Sequence, residues 1–438
     1  MLPVVLNVVY AVLLVAISPW LAYRRLAQRK PVAGLWDKLT GRIVRRHPER
    51  PCVWFHAVSV GEVLQLQSLV AEFAAAHPEY EVLITTTTGT GFDVARQRFP
   101  QHTIAYWPFD FSWAVTQALT SVSPALVVLV ELELWPNFLL AARRLHVPVV
   151  MVNGRIGAKS HRGYRRLKWL WRRVLPGLTA CGVQNERYAD RLIDLGVPRE
   201  QIAVTGNIKY DRVQSDRRNV RTEELRRAFG LGGGEVIFIA GSTQEPEEQY
   251  ALDTWERLRA EFPALRLVLV PRHKERFDDV AQIVRARGLP LLRRSESSAV
   301  PQPSALGPQS VLLLDTLGEL AACWGLADIA FVGGSLTNRG GQNMLEPAGY
   351  GAAVLFGPNT WNFQEIVEQL LVRDAAIVVR DAAELCETVR RLLGDPNERQ
   401  RRGDEARLFV LTQQGATART LQLLESALTS RSAPRRAA

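Results

Sequence analysis

The apolar positions of the chain fall into distinct regimes. Residues 1–23 carry no charged side chain and are dominated by Val, Leu and Ala, a stretch long enough as one helix to cross or nearly cross a hydrocarbon core. Beyond it, short apolar runs at 53–57, 82–86, 103–107, 126–130, 149–152 and 202–204 alternate with amphipathic stretches. Continuous apolar runs of this length predict buried parallel strands. Between the first two, Leu66, Leu69, Val70, Phe73 and Ala74 recur at i, i+3, i+4, i+7 and i+8, the stripe of a helix packed on one sheet face, so the pair reads as a βαβ unit. Polar residues from 211 to 227, then Gly232, Gly233 and Gly234, break the pattern and predict a linker over 211–234. A second series at 236–240, 267–270, 311–314, 329–332 and 353–356 predicts another doubly wound sheet, with the Ser/Pro/Gln-rich stretch 295–309 as a surface loop.

The expected organisation is α/β: an anchor helix over 1–23, a Rossmann-like domain over 35–210, the linker, and a second Rossmann-like domain over 235–405. A helix over 406–430 is expected to pack back toward the first domain. In open α/β sheets ligands bind at the carboxyl ends of the strands, so the chemistry is expected in loops following strands, with the two domains facing across a cleft.

Composition narrows the partners. Hydrophobic residues at 47% and charged residues at 22% exclude a disordered chain. Lys and Arg exceed Asp and Glu by 54 to 44, giving +10, which points to polyanions: nucleic acid, anionic lipid or phosphorylated small molecules. Cys52, Cys181, Cys323 and Cys386 stand far apart, which indicates neither a disulfide framework nor a zinc site. Arg24, Arg25, Arg29 and Lys30 follow the apolar segment, the reverse of a cleavable signal peptide. They predict a retained anchor with the rest of the chain on the cytoplasmic side. Pro3, Asn7 and Pro19 weaken the span, and a buried core helix is the alternative.

Candidate chemistry sits where strands are expected to end. In FHAVSVGE at 55–62, Ser59 and Gly61 form a turn and Glu62 starts a helix, either to complement its dipole or to act as a general base. ELELWPN at 131–137 puts Glu131 and Glu133 at a strand tip before Pro136, where Glu133 either starts a helix or orients a ligand. GSTQEPEE at 241–248 offers Ser242 and Thr243 as helix caps or as part of a phosphate site. Arg272, with His273 beside it, is either solvated or paired with an anion. The strongest signal is FVGGSL at 331–336 followed by RGGQNMLEPA at 339–348. The pairs Gly333-Gly334 and Gly340-Gly341, with Ser335, let backbone approach a nucleotide phosphate. Glu346, just beyond Asn343, suits a ribose diol, because a carboxylate accepts from both hydroxyls. No G-K-[ST] occurs, so this is not a Walker loop.

FHAVSVGE, ELELWPN, NGRI, GNIKYD, GSTQEPEE, VPRHKERF, DTLGEL and FVGGSL with RGGQNMLEPA, in that order and reaching to about residue 430, resemble the Kdo (3-deoxy-D-manno-octulosonic acid) transferases of lipopolysaccharide synthesis. The resemblance implies a GT-B glycosyltransferase fold, an anchor in the inner membrane, CMP-Kdo as donor and a lipid A precursor as acceptor, with no metal, cofactor or nucleic acid. On matched positions it implies Glu62 as general base and Glu133 as a second required acid. Arg272, Asn343 and Glu346 match the CMP-contacting group, with Ser242 and Thr243 adjoining, while Arg155 of NGRI and Lys209 of GNIKYD lie toward the cleft. Gln244, Pro246, Gln342 and Gly157 depart from the commonest pattern, which has His, Gly, His and Ser there. The implied reaction is an inverting displacement with CMP as leaving group. Arg162, Arg165, Arg166, Lys168, Arg172 and Arg173, interleaved with Trp169 and Trp171, form either a lipid-facing patch or a solvated basic helix. The competing readings are another membrane-associated GT-B enzyme using a UDP- or GDP-sugar, and a non-catalytic membrane-bound nucleotide or nucleic-acid binder. No nucleic-acid-binding motif accompanies the charge.

Overall fold

The computed structural model describes residues 2–27, 33–296 and 309–432. Arg29, Lys30 and nearly all of the expected 295–309 loop lie outside the described residues, as do the side chains of Arg24 and Arg25. The chain forms two compact units, Met1–Asp211 with Gln414–Ala438, and Arg212–Gln413.

In the first unit, strands β1 (Cys52–His56), β2 (Glu81–Thr86), β3 (Thr103–Tyr106), β4 (Leu126–Val130), β5 (Val149–Gly154), β6 (Ala180–Val183) and β7 (Ile202–Val204) form one parallel sheet in the order β3-β2-β1-β4-β5-β6-β7. All residues of β1, β2, β4 and β5 are buried, because helices cover both faces. One covering core includes Trp54, Trp107 and Phe138, and the other Phe55, Leu66, Leu69 and Phe73, which is the stripe read from the sequence. The helix Ala416–Ser432 belongs to this unit and buries Leu424 and Ala427 in the second core. Asp211 fixes its start by accepting from the backbone N–H groups of Gly415, Ala416 and Thr417. The expected 406–430 helix is therefore two helices, Pro396–Gln413 and Ala416–Ser432, parted at a left-handed Gly415.

The second unit repeats the plan with β8 (Val236–Thr243), β9 (Leu265–Pro271), β10 (Leu291–Arg293), β11 (Val311–Leu313), β12 (Ile329–Val332), β13 (Ala353–Phe356) and β14 (Ala376–Val378), ordered β10-β11-β9-β8-β12-β13-β14 and again all parallel. Residues 211–234 are not a linker. They carry the helix Val220–Ala228, capped by Asn219, and are tied into the second unit by Arg217, which donates to the carbonyls of Tyr350 and Ala327, and by Thr222, which donates to Ala322. The polar composition that suggested a linker reflects side chains spent on buried backbone groups.

In the first sheet the strand order reverses once, between β1 and β4; in the second it reverses between β8 and β12, and β11 is inserted between β10 and β9 toward the edge. A reversal sends the two flanking connections to opposite faces and opens a crevice at the carboxyl ends of those strands. The loops after β1, β4, β8 and β12 hold most of the candidate residues, while Arg272 and His273 follow β9, Arg155 follows β5 and Lys209 follows β7.

Candidate active site

At the first reversal Ser59 is the N-cap of helix Val60–Ala76 and accepts from the Glu62 N–H, while Glu62 Oε2 accepts from the Val58 N–H at 2.8 Å and Oε1 from the Ser59 hydroxyl at 2.9 Å. This is a capping box, and the S-x-x-E spacing is its signature. Both oxygens keep lone pairs for a further donor. Burial raises the Glu62 pKa, the bonds from Val58 and Ser59 lower it, and the nearby Glu131 charge raises it again.

After β4 the chain turns sharply, with Glu131 in the left-handed region at φ 58°. A non-glycine residue there carries backbone strain and marks a turn held in place by its surroundings. The turn brings Glu133 near Glu62. Burial, then the Glu62 charge, raise the Glu133 pKa to about 7; Trp135 opposes this and Glu131 adds to it. Glu133 also raises the Tyr164 phenol, behind the larger effect of burial, so Tyr164 joins this group. Two interacting carboxylates, one titrating close to neutrality, make a competent proton-transfer site. Arg155 and Lys209 are exposed, and Gly61 lies in the first helical turn with space around its Cα. Asn153, left-handed at φ 53°, ties this edge together: its amide donates to Gln65 and its carbonyl oxygen accepts from the Ile208 N–H, which fixes the loop bearing Lys209.

The raised Glu133 pKa has a measurable consequence. Its carboxyl holds a proton in the folded state between pH 4.5 and about 7, where the unfolded chain has lost it, so stability falls as pH rises through that window. The full shift corresponds to about 3 kcal/mol, reduced to roughly 1–2 kcal/mol because the side chain is half-exposed. Glu133→Gln is expected to raise Tm by about 2–6 °C at pH 8 and leave it unchanged at pH 4, as thermal melts at the two pH values will show.

At the second reversal the structure corrects the expected phosphate loop. The amides of Gly334 and Ser335 are already occupied: Glu247, fully buried, accepts from Gln244 N–H (2.9 Å), Gly334 N–H (2.7 Å), Ser335 N–H (3.1 Å) and Leu336 N–H (2.9 Å). Gly333 donates to Gly241, and Ser335 is buried with its hydroxyl spent on Val332 and Gly357. The anion in this amide nest is the protein's own carboxylate. Gly340 and Gly341 adopt φ 83° and 75°, and a Cβ at Gly340 would lie 2.4 Å from the Trp361 indole, which excludes a side chain there. Thr243 is buried, and Ser242 is buried at φ 54°. His273 is exposed.

Arg272, Asn343 and Glu346 do come together. Asn343 donates to Glu346 at 3.0 Å, and although burial raises the Glu346 pKa, Asn343, Arg272, Arg212 and Trp324 all draw it down. Arg212 and Trp324 are therefore members of the group. Sequence reasoning missed both, since Arg212 lay in the supposed linker and Trp324 in a run that reads as core. Gln244 and Gln342 both lie beside Gly334, with amide nitrogens 3.6 and 3.3 Å from where a Cβ would stand. The two departures from His are thus one local change.

Residues 35–212 match the family model of 3-deoxy-D-manno-octulosonic-acid transferase (kdotransferase). The chain is 34% identical to a 3-deoxy-D-manno-octulosonic acid transferase of Bordetella pertussis over 95% of this chain and 98% of that protein. It is 33% identical to one of Haemophilus influenzae, over 85% and 86% respectively. The chain belongs to the Kdo transferase family. It is a glycosyltransferase. A putative UDP-N-acetylglucosamine 2-epimerase of Listeria monocytogenes, 13% identical, superposes over 87% of this chain and 97% of that one with a TM-score of 0.54, consistent with two Rossmann-like units of the GT-B type.

In this Kdo transferase the Arg272 guanidinium is exposed beside the Glu346 carboxylate, and we propose it as a contact for the CMP phosphate. Loss of one charge-assisted contact is worth about 1.5–3 kcal/mol. Arg272→Ala is expected to weaken CMP inhibition about 10- to 100-fold in a competition assay.

Proposed function

We propose that the chain transfers Kdo from CMP-Kdo to a hydroxyl of a phosphorylated, acylated lipid A precursor, with inversion at the anomeric carbon. The acceptor oxygen attacks that carbon as Glu62 takes its proton, the bond to the CMP phosphate oxygen breaks, and CMP leaves. Glu133 supports Glu62 as the second acid of the site. Arg272 balances the phosphate charge, and Glu346, oriented by Asn343, accepts from the ribose hydroxyls.

The observation that carries this reading is the Glu62–Glu133 pair at the first strand reversal. A weakly nucleophilic alcohol needs a base held next to it, and this pair supplies a carboxylate whose proton affinity is raised by burial. Family membership supports the sugar. The excess of Lys and Arg suits a donor and an acceptor that both carry negative charge, and an anionic inner-membrane leaflet. Leu2–Trp20, with mean hydropathy 2.2, is long and apolar enough to cross a membrane and supports attachment there; the cytoplasmic side for both units is read from Arg24, Arg25, Arg29 and Lys30, which follow it. Of the basic and aromatic patch, Trp169 and the arginines are exposed, Trp171 is buried, and Lys168 is partly buried and paired with Asp194.

Donor competition tests the proposal. CMP-Kdo is expected to be consumed while UDP- and GDP-sugars neither react nor inhibit, and the product linkage read by NMR is expected to be opposite in anomeric configuration to the donor. Consumption of a UDP- or GDP-sugar in place of CMP-Kdo refutes the donor, and a retained configuration refutes the single displacement.

A further inference from the structure

The second unit contains a cavity of about 370 Å³ that no step of the proposed reaction uses. One wall is the segment from Ser215 to Arg218, close to where the unit begins at Arg212, and the other is the helix Pro396–Gln413 with which it ends. Its floor is Asp328 and Tyr350-Gly351, which come immediately before β12 and β13. The cavity therefore lies at the amino ends of these parallel strands. The loop bearing Asn343 and Glu346 leaves their carboxyl ends, about 13 Å away along the four residues of β12.

Four guanidiniums line the cavity, those of Arg217, Arg218, Arg399 and Arg407. Three carboxylates line it as well, but each is engaged on an amide. Asp328 accepts from the Ile237 N–H at 2.8 Å, Asp216 from the Arg218 N–H at 2.8 Å and Asp404 from Gln400 Nε2 at 2.9 Å. Among the described residues, the one ion pair these groups make is Arg217 with Asp328, at 3.7 Å. Arg217 also donates to the carbonyls of Tyr350 and Ala327, and Arg399 donates to that of Leu392. The guanidiniums of Arg218 and Arg407 are exposed and have no hydrogen-bond or ion-pair partner among the described residues. Burial lowers the Arg217 pKa and Asp328 opposes this, while the charges of Arg226 and Arg407 lower it further. Like charges thus crowd one concave space, with Arg217 half-buried among them and a single, long ion pair to balance it. A cation out of bulk water calls for a closer counter-ion than that.

The lining also says what kind of anion fits. Planar guanidiniums match the oxygens of a phosphate in paired hydrogen bonds, and several forks converging on one space favour a group with many oxygens. No aliphatic side chain lines the cavity, and Tyr350 is the one aromatic residue in the lining, so a lipid tail has nothing to pack against. We propose that this cavity is a second anion site of the chain, taking the phosphate or diphosphate group of a soluble molecule, with Arg218 and Arg407 as its principal contacts and Arg217 and Arg399 behind them. Its occupant ties the opening segment of the second unit to its closing helix, and so stabilises that unit from the side opposite the donor loops.

The test needs neither sugar transfer nor an acceptor, so it succeeds or fails apart from the function proposed above. Inorganic pyrophosphate is titrated by calorimetry into the full-length protein in detergent at constant ionic strength, with and without saturating CMP. One pyrophosphate is expected to bind per chain in both conditions. Arg218→Gln/Arg407→Gln removes two exposed, unpaired charges and is expected to weaken that binding about 10-fold or more, and to abolish the rise in Tm that pyrophosphate gives the wild type. Arg162→Gln/Arg166→Gln removes the same charge from exposed positions of the first unit and is expected to leave both unchanged. Absence of binding to the wild type overturns the inference, and so does binding that CMP abolishes, which places pyrophosphate in the donor site. Those two outcomes need no variant. Equal affinity in Arg218→Gln/Arg407→Gln and wild type, or equal weakening in the two double variants, overturns it as well, the last because net charge and not the cavity is then what binds.

Discussion

Glu62→Gln is expected to lower kcat for sugar transfer by about 10²- to 10⁴-fold, the range associated with loss of a general base, while leaving the fold intact and the donor KM within about twofold. The capping geometry makes this substitution unusually clean. Gln is as acceptable as Glu at the fourth position of a capping box. Its amide oxygen can accept from the Val58 N–H as Oε2 does now, and its nitrogen can donate to the Ser59 hydroxyl, which then reverses its role. The helix start survives and the proton acceptor does not. Glu62→Ala, by contrast, removes both and mixes a stability loss of about 1 kcal/mol into the result. If Glu62→Gln retains wild-type kcat, the carboxylate is a cap and nothing more.

The second large effect lies in the other unit. Each oxygen of Glu247 accepts from two N–H groups, Oε1 from Ser335 and Leu336 and Oε2 from Gln244 and Gly334. In Glu247→Gln one oxygen becomes an NH2 group facing two N–H donors, which orphans two buried amides at about 1–3 kcal/mol each. The expected loss is about 2–6 kcal/mol, or a fall in Tm of roughly 5–20 °C, from a change that alters neither volume nor shape. Where the protein remains folded at low temperature, the loop from Gly333 to Leu336 loses its template. Glu247→Asp, which keeps the charge but shortens the reach, is expected to be intermediate in calorimetry. Equal stability for Glu247→Gln and wild type is incompatible with the four-amide nest.

The frame of the fold was readable because buried parallel strands leave long apolar runs, and β1, β2, β4 and β8 do so plainly. Strands β10 and β14, three residues each and only partly buried, were not read, and β6 contains Gly182, which weakens its signal; β7 and β11 are as short but were read from their apolar runs. The stretch 211–234 misled because Arg217, Asn219 and Thr222 look solvated in sequence and are in fact spent on backbone partners 100 to 133 residues away or on their own helix cap. At the sites, strand-end position raised Glu62, Glu133 and Arg272 as candidates and the glycine-paired loop raised Asn343 and Glu346, while their roles came from the family resemblance. What sequence could not reveal is who satisfies whom. The occupant of the Gly334 amide lies 87 residues earlier in the chain, and neither the glycine pairs nor the GSTQEPEE run signals that Glu247 takes the place expected for a phosphate. The left-handed backbone at Glu131, Asn153 and Ser242 is equally silent in sequence, yet all three occur at carboxyl ends of strands, where turns must be sharp to aim side chains at a ligand.

The most direct measurement is a product assay: full-length protein in detergent with CMP-Kdo and a tetraacylated lipid A precursor, the lipid then weighed by mass spectrometry beside a Glu62→Gln control. The account predicts that wild type adds whole Kdo increments and releases CMP in equal amount, and that the control adds essentially none in the same time. An unmodified lipid with wild-type protein, or a control that matches it, contradicts the account.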